Sequence, residues 1–512
     1  MSADQDLRER TVAGISWRFL TVVIQFVLQF GVGVLLARLL PPEDFGLVGL
    51  ALIVIGFGRI VNDLGLAESI IQRDELSERH VRVGFTCSVV LGLGLAALMY
   101  GIAPVAATFL GDLRVTPLLR FIGITFFFSG FGVIGEALLR RKLHFKQLMV
   151  VELISYGLGY GGVAIALALN GFGEWSLAWG HLVQKILNSL LAYGAVRHSI
   201  WPLLARREFM QLAGFGAGSS LLKIFNYVAL QGDYFVIGRV LGAGPLGLYT
   251  RAYQLMQKPL NYTGHVLSSV LFPAVSRIQH QQERVKAVYG KAISITTMIV
   301  LPSMIMLVVL APEIVIGLYG EKWSGTIIPL QVLAGFGIFR TTYHIAGAFV
   351  KARGFIYRLF FLQVIYAGSV IGGAWLGAIY GGINGAALAV GLAIVVMYLL
   401  VVTTANIITT TRVSVFLKMH LPAIIVSTPT LILGLASRWL FLYAGLPALL
   451  VFVAVGLSTA LGLVLFFRTA PDAIMDPVRT VVRSVMERDA LPEPVTAFLQ
   501  WLFSRPSPYE VS

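Results

Sequence analysis

Charge is what this chain has least of. Asp, Glu, Lys and Arg make up 12% of 512 residues, about half the share of a soluble domain. Acids are scarcer than bases, 25 against 39. The single cysteine, Cys87, falls inside an apolar run, which excludes a disulfide framework and a cysteine-based metal site. No other metal-ligand constellation occurs, and no phosphate-cradling GKS or GKT loop, so ATP is not the direct energy source. The loops are too short for the clustered acids of a glycosyltransferase, and no soluble domain is inserted. The chain therefore reads as a non-enzyme without a cofactor. The net charge of +14 invites nucleic acid as a partner, but the positions of the bases argue against it.

What is abundant is hydrocarbon: 57% hydrophobic residues and a mean hydropathy of +0.82. Runs of membrane-spanning length fall at 13–36, 45–69, 83–109, 115–138, 147–169, 175–196, 211–236, 246–271, 290–315, 326–350, 358–379, 384–405, 416–437 and 444–467. The expectation is an all-α polytopic membrane protein of about fourteen spans. The polar start, MSADQDLRER, and the length of the next run speak for a retained first span, not a signal peptide. With the N-terminus cytoplasmic, the loops of that side carry 26 Lys and Arg and the opposite loops 5, so the positive-inside rule places both termini in the cytoplasm.

The sequence repeats itself. ARLLPPEDFGLVGLA (37–51) aligns with GRVLGAGPLGLYTRA (238–252) at an offset of 201. Gly157, Gly161 and Gly162 fall on Gly368, Gly372 and Gly373 at an offset of 211, as does ALLRRKLHFKQL (137–148) on AFVKARGFIYRL (348–359). Spans 1–6 thus correspond to spans 7–12 in a parallel pseudo-repeat. The expected organisation is a first lobe, 1–205, a second, 206–410, two further spans within 411–468, and a cytoplasmic amphipathic tail, 469–512, on the inner leaflet.

Eight bases lie within spans: Arg18, Arg59, Arg120, Lys185, Lys223, Arg251, Lys258 and Arg340. The acids within spans, away from their ends, are Asp63, Glu68, Glu136, Glu152 and Asp233. A buried cation costs roughly 2.5–3.5 kcal/mol on insertion scales and usually faces a bundle interior or a water-filled path. Span 8 carries Arg251, Gln254, Lys258, Tyr262 and His265 at offsets 0, 3, 7, 11 and 14, all on one helical face. Span 1 carries Arg18, Gln25 and Gln29; span 2 Arg59, Asn62 and Asp63; span 7 Lys223, Asn226 and Asp233; span 10 Arg340 and His344. The reading is a cationic cleft of Arg18, Arg59, Lys223, Arg251, Lys258 and Arg340. Gln25, Gln29, Asn62, Asn226, Gln254, Tyr262, His265 and His344 supply its polar lining, and Asp63 and Asp233 are candidates for ion coupling. Local pairing is the alternative for each cation, Arg59 with Asp63 or Lys223 with Asp233, but the acids are too few to absorb the whole set. Arg120, one turn from its span end, is expected to snorkel. Pro259, beside Lys258, is either a hinge or a static bend.

Here the early stretch LLARLLPPEDFGLVGLALIVIGFGRIVNDLGLAESIIQR becomes informative. Ala37, Arg38, Leu40, Pro42, Phe45 and Gly46 carry a motif that resembles the polysaccharide transporter branch (Wzx-type flippases) of the multidrug/oligosaccharidyl-lipid/polysaccharide exporter superfamily. The resemblance covers roughly residues 8–410. It implies a two-lobe fold whose spans 1, 2, 7 and 8 line the cleft. It also implies a bacterial inner-membrane protein that flips polyprenyl-pyrophosphate-linked oligosaccharide to the periplasmic leaflet for exopolysaccharide, capsule or O-antigen export, with polysaccharide polymerase and co-polymerase as companions. Two other readings stay open. A peptidoglycan-precursor flippase would share the cationic lumen, and a cation-coupled multidrug exporter would want an acidic cavity instead.

Overall fold

Prolines, glycines and helix breaks decide where the long apolar runs start and stop. The computed structural model describes residues 24–458, apart from 63–65, 74, 279 and 449; side chains at 61–62, 213–226, 229, 261–274, 276–277 and 441 are not described. Arg18, Asp63 and the 469–512 tail lie outside the described residues, as do the side chains of Asn62, Lys223, Asn226, Tyr262 and His265. Among the described residues every regular element is helical. The chain divides into two compact units, which meet in sequence at Gly247 and Leu248.

The first unit opens with α1 (Ile24–Leu39) and α2 (Pro42–Asn62). Proline starts α2 because its missing N–H costs nothing in a first turn; Glu43 and Asp44 there, and Arg59 in the last turn, suit the helix dipole. α3 (Leu66–Gln72) lies beyond the undescribed residues 63–65. α4 (Glu78–Leu110) is capped by Ser77. The run expected at 115–138 is broken into α5 (Val115–Gly123) and α6 (Thr125–Arg141), where the Thr125 hydroxyl donates to the Ile122 carbonyl at 2.6 Å. The run at 147–169 becomes α7 (Phe145–Ile154), a π-helix over Ser155–Gly162, and α8 (Val163–Leu169). α9 (Glu174–Ala195) and α10 (Arg206–Leu241) complete the unit. α4 packs on α5, α6 and α10, α6 on α9, and α10 on α2 and α3. Ile70, Val83, Phe85, Ile134, Leu139 and Leu212 meet in a shared core.

The two glycines aligned by the repeat, Gly46 and Gly247, sit at a reciprocal crossing. A Cβ on Gly46 would stand 1.7 Å from the Ala243 carbonyl oxygen, and one on Gly247 1.8 Å from that of Pro42. The 201-residue offset maps one contact onto the other, so the crossing is self-complementary.

The second unit begins within α11 (Ala243–Arg277), which continues through Pro259. α12 (Gln282–Val309) and α13 (Ala311–Tyr319) share the run expected at 290–315; the break falls at Leu310, and Pro312 sits in the first turn of α13. A 3-10 turn over Glu321–Thr326 leads to α14 (Ile327–Gly335) and α15 (Gly337–Ala352). Their break at Phe336 lies 212 residues after the α5–α6 break at Ile124, close to the repeat offset. α16 (Ile356–Ile408) would be about 80 Å long if straight. Instead Gly382 (φ 57°, ψ −145°) turns it in a region open to glycine, and Gly377 and Gly385 lie against each other. This accounts for the two runs expected at 358–379 and 384–405. α17 (Val413–Lys418) and α18 (Leu421–Tyr443) follow, with α18 packed on α12 and α16 on α15.

Among the described residues, six stretches are long and apolar enough to cross a membrane: Glu78–Leu110, Val115–Arg141, Phe145–Leu169, Gln282–Val309, Ile356–Ile408 and Val413–Leu440. The protein is a multi-pass membrane protein whose described regular elements are all helical.

Candidate functional site

In the first unit, polar side chains from α1, α7, α9 and α10 meet within the bundle, with Arg59 of α2 nearby. Gln25 donates its amide to the Glu152 carboxylate on α7 at 2.8 Å; Gln29, one turn on, is exposed. Arg59 is exposed, and its charge reaches His181 on α9 and Tyr227 on α10. Tyr227 in turn donates to the Ile53 carbonyl at 2.8 Å, tying α10 to α2. The π-helix supplies Tyr156 and Tyr160, stacked at 5.3 Å, and the Tyr160 ring lies 4.8 Å from His181. Its glycines bring α9 close, since a Cβ on Gly159 would stand 2.6 Å from the Gln184 Cα. Asp233 is 2% exposed, and its carboxylate accepts from the Tyr234 backbone N–H at 3.0 Å.

In the second unit, the α11 stripe meets aromatic rings. Arg251 donates to the Gln254 side-chain oxygen at 3.3 Å. Its guanidinium lies 5.9 Å from the Tyr319 ring centroid and 5.8 Å from that of Trp323, within cation–π range. Lys258, half-buried two turns on, lies within electrostatic reach of Arg251. Arg340 on α15 is 5% exposed. It donates to the Tyr253 phenol oxygen and lies 5.2 Å from that ring's centroid, with Tyr343 and Tyr366 also close enough to feel its charge. His344 is exposed, and its ring sits 4.5 Å from Tyr343. A separate cavity lined by Leu301, Met304, Ile305, Val308, Ile338 and Leu431 has an apolar wall and offers nothing to an anion.

The structure thus leaves Gln25 half-buried and Arg59 exposed in the first unit, and in the second it buries Arg340, half-buries Arg251 and Lys258 and leaves Gln254 exposed. Sequence reasoning missed the phenols and the indole. Tyr253, Tyr319, Trp323 and Tyr343 were not singled out, although Tyr343 directly precedes His344 and Tyr253 lies two residues from Arg251. Among the described residues Arg340 is held by phenols; rings and hydroxyls stabilise a cation without cancelling its charge. Arg120 lies 4.6 Å over the Tyr100 ring and donates to that residue's carbonyl at 3.3 Å.

Bases held by phenols and amides, in a chain whose described residues include six helices long and apolar enough to cross a membrane, point to a class, the polytopic helical membrane transporters. Residues 35–328 match the polysaccharide biosynthesis protein family, and the chain belongs to that family. It is 27% identical to the lipopolysaccharide biosynthesis protein WzxC of Escherichia coli (strain K12), over 73% of this chain and 77% of that one. It is 25% identical to the teichuronic acid biosynthesis protein TuaB of Bacillus subtilis (strain 168), over 74% and 81%. Among solved structures, the lipid II flippase MurJ in an inward closed conformation superposes with a TM-score of 0.68 at 16% identity, covering 85% of this chain and 97% of that one. At that identity the likeness speaks to fold. The family is the one that the early motif resembles.

Proposed function

We propose that this protein flips polyprenyl-pyrophosphate-linked oligosaccharide repeat units from the cytoplasmic to the periplasmic leaflet of a bacterial inner membrane. It has fourteen spans, both termini in the cytoplasm, and two six-span lobes, 1–205 and 206–410, in parallel repeat; two further spans within 411–468 and an amphipathic tail, 469–512, follow. Alternating access exposes a cationic cleft first to one face and then to the other. Arg18, Arg59, Lys223, Arg251, Lys258 and Arg340 take the pyrophosphate. Gln25, Gln29, Asn62, Asn226, Gln254, Tyr262, His265 and His344 contact sugar hydroxyls, and Asp63 and Asp233 carry any coupling ion. The polysaccharide polymerase and co-polymerase receive the product.

The observation that carries this reading is the buried guanidinium of Arg340, 5% exposed and supported by phenols, in the same unit as Arg251 and Lys258. A multidrug exporter for organic cations would need the opposite polarity. The test is to delete the gene and identify the lipid that accumulates on the cytoplasmic leaflet. A polyprenyl-pyrophosphate oligosaccharide is expected. Accumulated peptidoglycan precursor would shift the assignment to that substrate, and unchanged lipid-linked sugars would sink it.

A further inference from the structure

We propose that the strap joining α9 to α10, residues 196–205, is a binding surface for anionic phospholipid, seated in the headgroup layer. The strap is extended, and its inner side is pinned to the first turns of α4. The Arg82 Nε donates to the Trp201 carbonyl at 3.2 Å, and the Leu203 N–H donates to the Thr86 hydroxyl at 2.9 Å. The His198 ring packs between Phe85 at 5.4 Å and Tyr193 at 5.3 Å. Val196 is buried in the core, with Leu203 and Ala205 packed against it.

Those anchor points fix the depth of the strap. α4 is charged from Glu78 to Arg82 and carries no charged residue from Val83 to Leu110. Arg82, Phe85 and Thr86 therefore mark where this membrane-length helix passes from headgroups into hydrocarbon.

At that depth the outer side of the strap is apolar and large. Trp201 is 74% exposed and Leu204 81%, with Met210 at 62% on the first turn of α10. Around them stand Arg197, Arg206 and Arg207, all exposed. The acid in this patch, Glu208, pairs with Arg79 at 2.9 Å, so its charge is met within the protein. An exposed tryptophan and leucine ringed by exposed arginines match an anionic lipid surface in both polarity and sign. Extended backbone held by two hydrogen bonds presents these groups without an entropic cost at each encounter.

The test uses the full chain in nanodiscs of phosphatidylcholine alone or mixed with phosphatidylglycerol. Quenching by bromine-labelled lipid is measured, and Trp201→Phe isolates the contribution of Trp201. Brominated phosphatidylglycerol is expected to quench Trp201 several-fold more than brominated phosphatidylcholine, about fivefold with one arginine at the headgroups. Added salt should erode that preference. The triple variant Arg197→Gln, Arg206→Gln, Arg207→Gln should lose it while quenching by phosphatidylcholine persists, and Arg206→Lys with Arg207→Lys should keep it. Equal quenching by both lipids in the parent protein, insensitive to salt, overturns the proposal without any variant having to fold. So does Trp201 that no lipid quenches but aqueous iodide does, because the strap then stands in water, open to a soluble partner.

Discussion

A buried charge in a membrane helix is defined by what touches it. Arg340 is the sharpest case, since the Tyr253 phenol oxygen accepts from its guanidinium. Tyr253→Phe keeps the ring and removes the acceptor. It should lower stability by about 1–3 kcal/mol, the cost of an unsatisfied buried donor, read as a fall in melting temperature in detergent; an unchanged melting temperature would show that the guanidinium is held elsewhere. His198 makes a pH prediction at the other end of the polarity scale. Burial pushes its ring below the ordinary histidine pKa, and the hydrogen bond to the Ser199 carbonyl only partly offsets this. A base whose folded pKa is depressed favours folding fully above its unfolded value, about 6.5, and that contribution is lost as pH falls below it. His198→Phe, which keeps the ring contacts, should flatten the acid side of the stability profile; a profile identical to the parent's would refute the assignment. These partners explain what was legible in the sequence. A cation in an apolar run announces itself, because so few residues there are charged. Its phenolic neighbours do not, because Tyr319, Tyr343 and Tyr366 read as hydrophobic until the helices bring them together.

Helix position was legible wherever hydrocarbon alone sets it, as at 175–196, where α9 runs Glu174–Ala195. It was not legible where hydrogen bonding within an apolar run changes pitch. The break at Ile124, its counterpart at Phe336 and the π-helix at Ser155–Gly162 leave the hydropathy untouched, so a count of apolar residues passes over them. The crossing of α2 and α11 was half legible: the repeat aligned Gly46 with Gly247, but only the fold shows why both lack a side chain. Gly46→Val or Gly247→Val must push backbone apart, and overpacking of this kind typically costs 1–3 kcal/mol, occasionally more. Gly244→Ala, one turn from Gly247, meets nothing within 4 Å and should be tolerated. Thermal unfolding of the three variants checks the contrast, and equal stability across them would mean that the crossing is loose.

For the whole molecule the decisive quantity is an excess of positive charge where hydrocarbon should exclude it. The chain carries 39 bases against 25 acids, and the proposed cleft sets several of the bases within spans instead of at the interface. Insertion penalties of a few kcal/mol per cation are sustained most simply when the charge meets an anion during the working cycle. If so, the cations should differ by place. Lys258→Ala and Arg59→Ala remove charges from the proposed cleft. Each should cut polymer export by about 10–100-fold, the value of a charge-assisted contact of 1.5–3 kcal/mol, while membrane insertion measured by fractionation stays normal. Arg120→Ala removes a cation that already donates to the Tyr100 carbonyl and lies over its ring, and its export should stay close to the parent's. Full export by both cleft variants would end the cleft assignment, whereas loss in the Arg120 variant alone would move the anion path toward α5.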